Sequence, residues 1–506
     1  MQKFKRKSLY LALVAAVSSV GIANTASAAV HINGDGLGQV LIYPYYTTRG
    51  GMDTYMSVVN TTNSSKAVKV RFTEGKNSRE VLDFNLYLSP NDMWTAAIVN
   101  TGSGAKLVTR DRSCTAPAIP SGGKDFVNFA FTGSAVEGIQ QSGGDGETNS
   151  LDRTREGYFE IIEMGTITNT AINASITHVS GVPANCAVVQ AANMNMSAGT
   201  AHSVGGQSAE AAPARGGLAG TASLINVASG TDFGYDPVVL DAFAPAFATN
   251  LWFSPGSILP DLRSSDTTSI VFNGAGTVTS SWPTSKAHNS VNALLMHNNI
   301  INEYVLDNAT ISGTDWVVTM PTKRYSVPVH NPSVTPDNTK VFSPFTHKFW
   351  LDGACEPVSL SYWDREEGNV SIVDFSPPAP GGGTSLCWET NVVTFNNSNL
   401  LGSANQVNVP IASGFENGWL RMSFNALNIP VVNGQTDADD NFTPSEHFDA
   451  SHKLTSLDGD TYIGLPTVGF MLQDFINANA AAGVMATYGG NFNHKYTTSV
   501  SEGNVF

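Results

Sequence analysis

Val68-Lys69-Val70-Arg71-Phe72, the turn-like Glu74-Gly75-Lys76-Asn77, and then Leu82-Asp83-Phe84-Asn85-Leu86-Tyr87-Leu88 form the stretch whose reading decides the fold. Apolar residues recur at every second position on both sides of the turn, which is the period of a β-strand with one buried face. The first run carries its basic side chains on the opposite face, and the pair reads as a hairpin. Upstream, Gln39 to Tyr46 and Thr54 to Asn60 flank the Arg49-Gly50-Gly51 turn, and downstream Trp94 to Val99 follows the breaker Ser89-Pro90-Asn91-Asp92. Five strands at short, regular spacing predict an all-β fold: mainly antiparallel β-sandwich, immunoglobulin-like, with a few short helices.

Later stretches fit this class. Phe126 to Phe131, Tyr158 to Met164, Thr221 to Val227, Ser269 to Phe272, Glu303 to Leu306, Val358 to Trp363, Val370 to Phe375 and Trp419 to Phe424 all read as strands. Trp316, Val318 and Met320 share one face and Val317 and Thr319 the other, so that strand is expected to be buried on both sides. A short helix is expected from Pro237 to Phe247, and Gly133 to Arg155 reads as a polar surface loop. For residues 465 to 484 the periodicity does not decide between helix and strand. The Ala-, Gly- and Ser-rich stretch from Met194 to Gly217 suggests a loop or linker, which divides the chain into an N-terminal domain at 29–205 and a C-terminal domain at 206–506. The Pro- and Gly-rich run at 376–383 cannot join a sheet and reads as a loop.

The first 28 residues read as a bacterial-type signal peptide. Lys3, Lys5, Arg6 and Lys7 precede an apolar run, and Ala26-Ser27-Ala28 supplies the small-residue cleavage pattern, so the mature chain is expected to begin at Ala29. No later stretch reaches the ~18 consecutive apolar residues of a membrane helix, and the C-terminal pattern does not match a lipid-facing barrel strand. The chain has 27 basic and 42 acidic residues; loss of four N-terminal cations moves the net charge from −15 to 23 − 42 = −19. Such a surface repels nucleic acid and anionic lipid. The four cysteines, Cys114, Cys186, Cys355 and Cys387, form no C-x-x-C pair. An even count in an exported chain implies structural disulfides, and the sequential pairing, Cys114 to Cys186 and Cys355 to Cys387, closes the shortest loops.

Enzyme signatures fail one by one. Ala201-His202-Ser203-Val204-Gly205 has Ala where a nucleophile elbow needs Gly, and Ser103-Gly104-Ala105-Lys106 lacks the motifs that accompany S-x-x-K. Glycosidases need two facing carboxylates, yet Glu160 and Glu163 are three apart in a strand and point to opposite faces, and Asp364, Glu366 and Glu367 stand at a turn. The densest polar cluster is Asp437, Asp439 and Asn441, followed by Glu446, His447, Asp449 and His452. Alternating oxygen ligands in a loop suit calcium, although Phe442 and Phe448 replace the Gly and Glu of an EF-hand loop; His447 and His452 are the alternative transition-metal donors. His31, His178, His297 and His494 read as hydrogen-bonded structural residues. Tyr43, Tyr45 and Tyr46 read as core or strand-edge packing residues, with a sugar-stacking platform the alternative.

The expectation is a secreted or cell-surface, non-enzymatic structural or adhesive protein. Its partners would be itself, other surface proteins or glycans, met through strand edges. The alternatives are a secreted or periplasmic glycosidase-like hydrolase with a site assembled from distant loops, and a carbohydrate- or metal-binding protein.

Overall fold

The computed structural model describes residues 29–132, 144–194, 211–245, 250–308, 310–330, 339–351, 353–372, 384–424, 451–481 and 484–503. The hairpin forms at Lys66–Glu74 and Glu80–Leu88, with Val70 opposite Phe84 and Arg71 opposite Asp83. Its turn is held by one carboxylate: Glu74 accepts the backbone N–H groups of Lys76, Asn77 and Arg79. In one sheet the strand order is His31–Ile32, Val238–Asp241, Val40–Thr47, Glu156–Ile167, Lys66–Glu74, Glu80–Leu88, Cys114–Ala116, and Ala211–Ala212 also pairs with Glu156–Ile167. Facing it is a six-stranded sheet in the order Thr231–Tyr235, Leu218–Asn226, Asp53–Asn60, Met93–Asn100, Ala105–Val108, Lys124–Asp125. Val68, Val70, Phe72, Phe84 and Leu86 from the first meet Met56, Val58, Trp94 and Ile98 from the second in one core. Together the eight- and six-stranded sheets hold more strands than the seven to nine of an entire immunoglobulin-type sandwich.

Strands from both sides of the expected 205/206 division pair in these two sheets. Leu218–Asn226 runs along the full length of Asp53–Asn60, and Val238–Asp241 pairs with Val40 to Ile42. The latter strand also corrects the helix expected at Pro237 to Phe247. Val238, Val239 and Leu240 form a short β-favouring run next to Pro237, and cross-strand pairing with another apolar strand outweighs local helical spacing.

A second sandwich follows. One sheet has the order Gln406–Val409, Thr390–Phe395, Gly313–Thr319, Val468–Ala481, Val484–Asn493; the other has Asn369–Ile372, Ser359–Asp364, Asn417–Ser423, Asn299–Val305, Lys495–Thr497. The pair Thr390–Phe395 and Gln406–Val409 is parallel and the other pairs of these two sheets are antiparallel. The strand expected to be buried on both sides, Gly313–Thr319, is so. Trp316 and Val318 enter the core between these two sheets, while Val317, with Phe470 and Leu472, packs into the core of the first sandwich. Residues 465 to 484 resolve as strand over Val468–Ala481.

Both disulfides have the sequential pairing, Cys114–Cys186 and Cys355–Cys387. The first ties the helix Cys186–Met194 to the end strand of the eight-stranded sheet. Among the described residues no helix is long and apolar enough to cross a membrane.

The least expected feature is the outer face of the eight-stranded sheet. Lys69 and Arg71, the basic face of the decisive stretch, are completely buried. Residues 254–260 cover them: Lys69 Nζ donates to the carbonyls of Ser254 and Ser257, and Arg71 donates to those of Ser257, Ile258 and Pro260. Each cation also has a carboxylate: Asp83 at 2.7 Å from Lys69, and Glu80 and Glu160, each at 2.8 Å from Arg71. At the turn, Arg153 grips Glu74 through Nε and Nη2 and also pairs with Asp145; all three side chains are buried. This corrects the surface-loop expectation for Gly133 to Arg155, because two charges in that segment complete an internal ion-pair network. Residues 133–143 lie outside the described set.

Candidate functional site

The strand Val468–Ala481 turns back into Val484–Asn493, and the two form a long ribbon with Met471 opposite Phe492, Phe475 opposite Tyr488 and an irregularity between Asn477 and Ala481. At its root, Phe470 and Leu472 anchor one face in the first core and Met471 the other face in the second. Gly489 allows close approach, since a Cβ there would meet the ring of Phe233 at 2.8 Å.

Val484–Asn493 is the last strand of its sheet, so its outer backbone edge has no strand partner among the described residues. The strands ending the four large sheets elsewhere are two to five residues long, and several carry charges: Asp232, Lys124, Asp125 and Lys495. Short length and edge charge are how proteins keep strand edges from pairing with other chains. This edge is ten residues long and has neither protection. From Phe475 to His494 no Asp, Glu, Lys or Arg occurs. Val484, Tyr488 and Phe492 fall on one face at strand period and are 52%, 61% and 52% exposed. The arrangement offers backbone donors and acceptors along an edge and apolar side chains beside them, the two components of strand addition.

Charges at the root of the ribbon differ in kind from those of the first hairpin. Asp315 is buried and accepts from the backbone N–H of Leu401 and the hydroxyl of Ser398. Burial pushes its carboxyl up to about 7 against those hydrogen bonds, and the Asp474 charge adds to the rise. Asp474 is likewise raised by burial.

The residues singled out from sequence fall elsewhere. Asp437, Asp439 and Asn441, with Glu446, His447 and Asp449, lie outside the described residues, as do Ala201 to Gly205. Among the described residues, no group of three or more His, Cys, Asp or Glu side chains converges to hold a metal ion. His452 is fully buried, with Nδ1 at 2.8 Å from the Phe424 carbonyl and Nε2 at 3.0 Å from Glu356. Burial raises the Glu356 carboxyl, but hydrogen bonds and charges from His347 and His452 outweigh it and hold the group well below the usual carboxylate range. Tyr43, Tyr45 and Tyr46 are fully buried, with hydroxyls bonded to Ser57, Glu156 and Thr154, so no platform exists there. Glu160 and Glu163 occupy opposite faces, paired to Arg71 and Lys66. Asp364 accepts N–H groups of Glu366 and Gly368 in a turn. His31, His178, His297 and His494 each have a hydrogen-bond partner: Ala29, Ser89, Thr467 and Val317. Trp363 and Trp419 stack across strands at 4.0 Å, so each indole spends one face on the other.

Sequence reading missed the ribbon as a site. The available signal was negative: twenty consecutive residues without a charge in a chain of net charge −15. Comparison with family models, with curated proteins and with solved structures finds no match.

Proposed function

We propose that this protein is a non-enzymatic structural or adhesive module that works outside the cytoplasm and assembles with a second copy of itself through the edge of Val484–Asn493. The observation that carries the reading is the ten-residue, uncharged, aromatic edge at the end of a sheet whose two faces are each locked into a core. An antiparallel pairing of this strand with its own copy about a two-fold axis is self-complementary and leaves no unmatched element. Electrostatics select the same surface. Two copies of an acidic chain repel over most of their surfaces, and a strip without charge is where like-charged molecules can approach. The two disulfides support residence in an oxidising compartment, as does the leader-like N-terminus.

The test is light scattering coupled to size exclusion, for the wild type and for Tyr488→Lys/Phe492→Lys, which restores edge charge. The expected outcome is a wild-type dimer or larger species that grows with ionic strength as screening removes repulsion, and a monomeric variant. A wild type that stays monomeric at all concentrations and salt levels, or a variant that assembles equally well, contradicts the reading.

A further inference from the structure

Beside the first hairpin, a half-open cleft of about 310 Å³ is lined by the turn residues Asn77, Ser78, Arg79 and Glu80, by Ile258 and Arg263, and by Arg324, Tyr325 and Val327. Three of its lining side chains are guanidinium groups, and the one carboxylate on its wall, Glu80, is engaged by Arg71 at 2.8 Å.

The arginines differ in how their donors are used. Arg263 forks onto Asp261 through Nε and Nη2. Arg324 donates Nη1 to the carbonyl of Ser78 and brings Nη2 to 3.6 Å from Asp261. Both lean on the ring of Tyr325, with guanidinium carbons 5.2 and 4.9 Å from its centroid, which fixes their orientation. Arg79 is the outlier. It is 6% exposed, its Nη2 has no hydrogen-bond partner among the described residues, and its nearest carboxylate oxygen, on Asp145, is 3.8 Å from Nε. Asp145 is already bound to Arg153. A buried donor without a partner costs free energy, and a guanidinium cannot escape by losing its proton. Ser78, between these groups, holds a left-handed backbone at φ 47°, a conformation that the Arg324 bond to its carbonyl helps keep.

We propose that this cleft binds a small molecule through an oxyanion, a carboxylate or a phosphate, received by Arg79, Arg263 and Arg324. Planar guanidinium forks match both groups, and water would satisfy the orphan donor without answering the charge. The volume stands at the small end of ligand sites and exceeds what a bare ion fills. Ile258, Val327 and Tyr325 give the remainder of the ligand an apolar wall. The site is independent of the ribbon, and either can be true without the other.

The experiment is isothermal titration of the wild type, Arg79→Gln and Arg263→Gln with inorganic phosphate and separately with succinate, at constant ionic strength. Saturable one-site binding of phosphate alone assigns the site to phosphates. Binding of succinate alone assigns it to carboxylates, and binding of both assigns it to either oxyanion. Each variant is expected to bind at least about tenfold more weakly, the loss of one charge-assisted contact. Arg263→Gln, whose side chain reaches solvent, keeps the test decisive should Arg79→Gln fail to fold. No saturable heat with either probe up to ~10 mM, a range that includes weak millimolar affinities, overturns the proposal. So does binding that is undiminished in every variant that folds.

Discussion

Two hairpins of this molecule invert what their sequences suggest. Lys66–Glu74 with Glu80–Leu88 is dense in charge, yet its Lys69, Arg71, Glu74 and Asn85 are buried. Val468–Ala481 with Val484–Asn493 is without charge over its distal half, yet it presents Val484, Tyr488 and Phe492 to solvent. Alternation along a strand reports which residues share a face. What covers that face is decided by segments far away: the carbonyls receiving Arg71 come from residues 186 to 189 positions later. In the strands of the first hairpin Lys69, Arg71 and Glu74 each meet an opposite charge and backbone partners; at the root of the second, Asp315 is held by neutral donors.

The contrast predicts its largest effect in the charged hairpin. Arg71→Met removes the cation between Glu80 and Glu160 and leaves both carboxylates buried without it. Breaking one side of a buried pair should destabilise the fold by about 3–5 kcal/mol, measured by urea denaturation. A loss under ~1 kcal/mol, the size of an exposed pair, would mean that the network is no better than a surface one.

Next in size is a pH effect at the ribbon root. The Asp315 carboxyl is raised to about 7 by burial, so its contribution is fully present below its unfolded value near 4 and is lost as pH rises through about 7. Asp315→Asn keeps the volume without the ionisable proton. It is therefore expected to be more stable than wild type by roughly 1–3 kcal/mol at pH 8, with the advantage absent at pH 4. Melting curves of the two proteins across that range check the sign; parallel curves would show that Asp315 ionises as an ordinary carboxylate.

The smallest effect on folding is expected at the exposed face. Tyr488→Lys should change monomer stability by no more than about 0.5 kcal/mol, because its side chain has little to lose. The same substitution, combined with Phe492→Lys, is expected to abolish assembly. A large loss of stability would show instead that Tyr488 is a packing residue.

Much of the architecture was legible because its causes are local. The period-two runs around Val68 and Leu82 gave strands, the even cysteine count gave the two bridges, and the two apolar faces of Trp316 to Met320 gave a strand between two cores. The misreadings share a non-local cause. Pro237 to Phe247 was expected as helix because Val40 to Ile42, the strand that recruits it, is some 200 residues away. The ribbon was undecided because alanines at 478, 480, 481 and 482 favour helix locally, while pairing with Gly313–Thr319 over Val468 to Asp474 and with Val484–Asn493 beyond it imposes strand.

Amide hydrogen exchange of residues 484–493 at low and high protein concentration tests the edge-pairing account most directly. If two copies join strand to strand, the outward-facing amides of this segment become hydrogen-bonded, and their exchange should slow as concentration rises, while the buried amides of Lys66–Glu74 stay unchanged. Equal exchange at both concentrations, in a sample shown by light scattering to associate, would contradict strand pairing and place the contact on another surface.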